Sequence, residues 1–157
     1  MPRLRRRTCS RAVLVVAAAA LLAAACSPNT PPQALEPTSS LDIVGTDSLR
    51  FEPADHVIVA GDAVALTLRS EDAVEHDLVI EGAGSFGEVV ELGDGHRLAT
   101  AGLVPEEDVV AAYAGAGEQV TSRFVIGEAG VYTVYCSIPG HRAAGMVGQL
   151  TVLQRDR

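Results

Sequence analysis

From Ser48 onward the chain alternates apolar and polar residues in short runs set between turn signals, and no other feature constrains its fold as strongly. Ala63–Arg69 places Val64, Leu66 and Leu68 on one face, and the preceding Gly61-Asp62 marks a turn. Val74–Ile80 places Val74, His76, Leu78 and Ile80 on one side and Glu75, Asp77 and Val79 on the other. Leu49–Phe51, His56–Ala60, Gln119–Ile126, Gly130–Ser137 and Met146–Leu153 carry the same signal. About seven or eight short strands in roughly one hundred residues predict an all-β sandwich.

Glu81–Glu118 interrupts the pattern and is too long for a plain loop. Within it, Pro105-Glu106-Glu107-Asp108 precedes an Ala-rich run that ends at Gly115. Proline in a first turn and acids near the positive end of a helix predict a short helix of one to three turns here. Gly82, Gly84, Gly87, Gly93 and Gly95 predict an irregular surface excursion for the rest.

The 157 residues are enough for one domain, and their formal net charge is −8 from 12 Arg, no Lys and 20 acids. An acidic chain with no Trp and six other aromatics excludes a nucleic-acid binder. Three Cys do not make a disulfide scaffold.

The amino terminus reads as an address. Met1–Arg11 carries five Arg and no acid, and Ala12–Ala25 is an unbroken apolar run of fourteen residues. A membrane span needs about twenty, so residues 1–25 read as a secretory signal peptide. Leu22-Ala23-Ala24-Ala25-Cys26 resembles a bacterial lipobox, which makes Cys26 the lipidated first residue of the mature chain. Residues 26–47, with four Pro and several Ser and Thr, read as a flexible tether, and 48–157 as the folded domain. Cleavage removes five Arg and no acid, leaving a net charge of −13. Cys136 is then the one thiol not claimed by processing, in a compartment where free thiols oxidise or pair. That expectation favours a metal ligand or a deeply buried side chain.

Two places break the strand pattern chemically. His76 lies on the apolar face of its strand, and Cys136, His141 and Met146 form a Cys-x4-His-x4-Met loop between two predicted strands. Copper that cycles between oxidation states needs donors acceptable to both, and two His, one Cys and a weak axial Met meet that need. Any of these residues alone is more simply a core side chain; their joint spacing is what points to a metal. His56 and His96 lack such company and read as surface residues.

The segment GVYTVYCSIPGHRAAGMVGQLTV resembles the C-terminal signature of the cupredoxins, the plastocyanin/azurin group of type 1 copper proteins. The earlier VIVAGDAVALTLRSEDAVEHDLVIEG resembles the strands leading to that family's first ligand His. The resemblance implies a Greek-key β-sandwich and one type 1 copper ion per chain. By position it makes His76, Cys136 and His141 equatorial ligands and Met146 the axial one. Many members have Asn after the first His to steady the Cys loop; here the residue is Asp77.

The function this implies is a membrane-tethered, extracytoplasmic carrier of single electrons between redox proteins such as a cytochrome, oxidase or reductase, and not an enzyme. The expected place where electrons cross is the His141 edge, rimmed by Ile138, Pro139, Ala143, Ala144 and Met146. Two alternatives are a copper-binding or delivery protein without electron transfer, and an electron-donor domain of a copper reductase or oxidase complex. Neither a His-x-His pair nor a Met-rich or His-rich tract supports them.

Overall fold

The computed structural model describes residues 35–71, 73–85, 87–92 and 104–156. The expected signal segment, Cys26 and His96 lie outside the described residues. Among the described residues, ten strands form two five-stranded sheets: β1 (Ser40–Gly45), β2 (Phe51–Glu52), β3 (Asp55–Val59), β4 (Ala63–Ser70), β5 (His76–Ile80), β6 (Gly87–Leu92), β7 (Val109–Ala114), β8 (Gln119–Ile126), β9 (Gly130–Tyr135) and β10 (Val147–Leu153). One sheet runs β2-β1-β4-β8-β6 and the other β3-β10-β9-β5-β7. Consecutive strands repeatedly change sheet, as a Greek-key sandwich requires.

The period-2 pattern explains the layers. Val64, Leu66 and Leu68 of β4 are buried beside Val120, Phe124 and Ile126 of β8 in one core, to which Ile58, Leu150 and Val152 contribute from the opposite sheet. Burying each such side chain contributes about 1.5–3 kcal/mol. The β5 strand differs, because all five of its residues are buried on both faces.

Three expectations need correction. The tether does not extend to residue 47: Ser40–Gly45 is a strand parallel to β4, with Leu41 and Ile43 in the core. No helix follows Pro105 among the described residues. Residues 105–108 make a turn, with Asp108 N–H donating to Pro105 C=O at 3.0 Å, and 109–114 form β7. Val109 and Val110 favour strand, and pairing with β5 outweighs the helical preference of three alanines. The Gly-rich excursion also contains an edge strand, β6, paired with β8.

The ladder geometry creates the functional end of the sandwich. β5 pairs with β9 at Val79↔Tyr135 and Ile80↔Val134 only. Beyond that point β9 ends, so His76 and Asp77 at the start of β5 pair with β7 on one side and face a loop rather than a strand on the other. That loop, residues 136–146, returns as β10.

Candidate metal centre

Cys136 follows β9, while His141 and Met146 come from the loop that follows it; His76 opens β5 in the same sheet. One donor atom each from His76, Cys136 and His141 lies within 4.8 Å of the others, and all three residues are buried. Cys136 Sγ is 3.4 Å from His141 Nδ1, and the two imidazole rings are 5.2 Å apart between centroids. Met146 is fully buried at the far end of the loop.

Backbone hydrogen bonds bracket these residues. Cys136 N–H donates to Met146 C=O at 3.2 Å, and Met146 N–H donates to His141 C=O at 3.0 Å. His141 N–H in turn reaches Ile138 C=O at 3.0 Å. Gly140 and Gly145 adopt φ of 90° and 99°, which turns the loop tightly enough to close these bonds and which L side chains rarely adopt. Asp77 fills the gap where the β5–β9 ladder ends. Its Oδ1 accepts from Ser137 N–H at 2.6 Å and its Oδ2 from Ser137 Oγ–H, so the carboxylate fixes the backbone next to Cys136.

The donor set fits a cation. Both ring nitrogens of His76 are buried without a hydrogen-bond partner, which is costly, and a cation that takes the lone pair of one of them offsets part of that cost. Burial, helped by nearby His141, holds the His76 pKa down at about 4, so its ring is neutral and free to donate a lone pair. Burial and then the Asp77 carboxylate push the Cys136 thiol up to about 12 in the absence of metal. A metal that takes the thiolate therefore releases a proton, and its binding strengthens as pH rises.

Several participants were not legible as such in the sequence. A Cβ on Gly45 of β1 would lie 2.4 Å from His76 Cδ2, so glycine alone lets the ring occupy its place. Arg50, between β1 and β2, donates to Ala144 C=O at 2.7 Å. Tyr135 O–H donates to Asp108 Oδ2 at 2.6 Å, and Arg142 lies 4.2 Å over the Tyr135 ring while bonding Glu81 Oε1 at 2.7 Å. No periodicity announces such contacts, because their partners lie tens of residues away.

Two placements differ from expectation. His56 is buried rather than superficial, with Nε2 unpartnered. It sits on β3, whose alternate residues face the core, as Ile58 does. Met146 takes no part in the surface around His141 because it is fully buried. The exposed loop residues there are Pro139, Gly140, Arg142, Ala143 and Ala144, with Ile138 half-buried.

Residues 38–153 match the family described as "Copper binding proteins, plastocyanin/azurin family". The chain belongs to this family. This cupredoxin is 27% identical over 122 residues to the copper-resistant cuproprotein CopI of Rubrivivax gelatinosus, covering 78% of this chain and 71% of that one. Its fold is shared with reduced auracyanin of Roseiflexus castenholzii, at a TM-score of 0.55 and 21% identity over 75% of this chain and 99% of the other. Auracyanin A of Chloroflexus aurantiacus, titled a "blue" copper protein, gives a TM-score of 0.54 at 21% identity over 75% and 100% of the two chains. Copper is the metal of this cupredoxin, a copper-binding protein by its family.

Proposed function

We propose that this cupredoxin carries single electrons outside the cytoplasm, with one copper ion held by His76, Cys136, His141 and, weakly, Met146. The observation that carries this reading is the convergence of two buried donors, Cys136 and His141, on a buried His76 ring whose nitrogens have no hydrogen-bond partner. Bound there, copper supplies a one-electron couple, for which thiolate, imidazole and thioether suit both oxidation states. The chain's own residues do the rest. The Asp77–Ser137 bonds and the Cys136–Met146–His141 backbone bracket hold the donors, which limits their rearrangement when charge changes. Burial excludes water from His76 and Cys136. His141, 9% exposed beside Pro139, Gly140, Ala143 and Ala144, offers the shortest route to a redox partner through a mostly uncharged rim.

Voltammetry of the copper-loaded chain tests this. A single reversible one-electron wave is expected, and Met146→Leu should shift it to higher potential, since the thioether helps the oxidised state. An irreversible response, or an unchanged or lower potential in the variant, contradicts the assignment.

The lipobox-like Leu22–Cys26 supports a lipid anchor on Cys26, from which residues 27–37 tether the sandwich to a membrane. A Cys26→Ala chain should then leave the membrane fraction or remain unprocessed. Processed, firmly membrane-bound protein would refute it.

The name of the CopI relative favours a second reading, protection against copper. A strain lacking this chain would then lose copper tolerance while keeping normal electron flow. The carrier reading requires the reverse.

A further inference from the structure

We infer that the β1–β2 hairpin is a brace for the metal centre and that Arg50 is a positioning residue for the Gly145–Met146 end of the ligand loop. The inference rests on the ligand assignment proposed above. The hairpin touches the centre at two points. At the end of β1, Gly45 lies against the His76 ring so closely that a Cβ would meet Cδ2 at 2.4 Å and Cγ at 2.7 Å. At the turn, the Arg50 guanidinium spans two carbonyls through Nη1, that of Leu49 at 2.7 Å and that of Ala144 at 2.7 Å. Its atoms lie 3.2–3.4 Å from where a Cβ on Gly145 would stand, so the guanidinium packs over that glycine.

The turn is built to aim this side chain. Leu49 holds a left-handed backbone, φ 56°, which a non-glycine residue adopts only when its surroundings enforce it. The enforcement is visible. Leu49 N–H donates to Thr46 C=O at 2.9 Å, Thr46 N–H donates to Arg50 C=O at 3.0 Å, and the Leu49 side chain packs on the core. Thr46 Oγ1 bonds Ser48 Oγ at 2.9 Å and so closes the turn from its other side. At the far end of the contact, Ala144 immediately precedes the Gly145–Met146 pair. Met146 N–H and C=O are the two groups that bracket His141 and Cys136. Fixing the Ala144 carbonyl therefore fixes the start of that bracket. A planar guanidinium can hold two carbonyls at once, which a simple apolar contact does not do. The segment that composition assigns to a tether thus ends in an element that touches both His76 and the ligand loop.

The test is Arg50→Met in the full chain, which keeps an unbranched apolar stem and removes the donors. Amide hydrogen exchange of the copper-free protein should be about three- to tenfold faster at Gly145 and Met146, the effect of losing one hydrogen bond. It should be unchanged at Leu66, in the middle of β4. In the copper-loaded variant the relative intensities of the sulfur-to-copper absorption bands should change, because the loop end that carries Met146 is less constrained. Unchanged exchange at Gly145 and Met146, exchange raised equally at Leu66, or an unaltered copper spectrum would each overturn the proposal. The exchange measurement needs no copper, so failure of the ligand assignment itself would appear separately, as a wild-type chain without the copper bands.

Discussion

At the scale of single residues, Asp77 carries the most distinctive consequence. An amide at this position could keep a bond from the Ser137 backbone, but it would not supply the negative charge that helps push the Cys136 thiol upward. That charge also favours the more positive, oxidised state of a bound metal. Asp77→Asn should therefore keep the visible spectrum, raise the reduction potential, and lower the thiol pKa of the copper-free protein. A potential that falls or stays constant would show that the carboxylate acts through geometry alone. His76, Cys136, His141 and Met146 were legible in the sequence because their types and spacing are unusual together. Gly45 and Arg50 were not, since a glycine before a turn and an arginine on a loop are commonplace until their distant partners are known.

At the scale of elements, legibility followed the strength of the period. β4 and β8, with uninterrupted alternation over eight residues each, stand where the pattern put them. β1 was hidden because its alternation, Leu41-Asp42-Ile43-Val44, is brief and follows Pro- and Ser-rich chain. β7 was hidden because Ala and an acidic turn mimic a helix start, and only pairing with β5 and the Ser122 Oγ–H bond to Ala111 C=O at 2.6 Å decide otherwise. The correction at β1 has a measurable result. Leu41 and Ile43 together contribute about 3–6 kcal/mol of burial, a large part of the about 5–15 kcal/mol of a typical domain. A chain beginning at Leu35 should unfold cooperatively in denaturant, whereas one beginning at Ser48 should have lost most or all of its cooperative transition. Equal midpoints for the two would mean that β1 adds nothing to the sandwich.

At the scale of the whole molecule, burial makes stability depend on pH. Desolvation lowers the pKa of His56 below its ordinary 6.5, against smaller upward effects of the Pro53 backbone and the Asp55 carboxylate. His76 shifts the same way in the copper-free protein, to about 4. The unfolded chain therefore takes up protons near pH 6.5 that the folded chain refuses until the pH is lower. Stability is full above pH 6.5 and falls as pH drops below it. Copper on His76 holds that ring unprotonated for as long as the ion stays bound, so its share persists and the His56 share adds to it. In the copper-loaded protein His56→Leu should then flatten the acid limb of the stability curve, by up to about 1.4 kcal/mol per pH unit. An acid limb of unchanged slope would place the proton uptake elsewhere.

The whole reading stands on His76, Cys136, His141 and Met146 forming one copper site with a thiolate donor. It is tested most directly by titrating the copper-free chain with cupric ion and recording the visible spectrum. An intense band is expected toward the red end of the visible; it should saturate at one equivalent, bleach on reduction, and be absent from Cys136→Ser while that variant keeps its β-sheet circular dichroism. A colourless wild-type protein at saturating copper, or an undiminished band in Cys136→Ser, would contradict it.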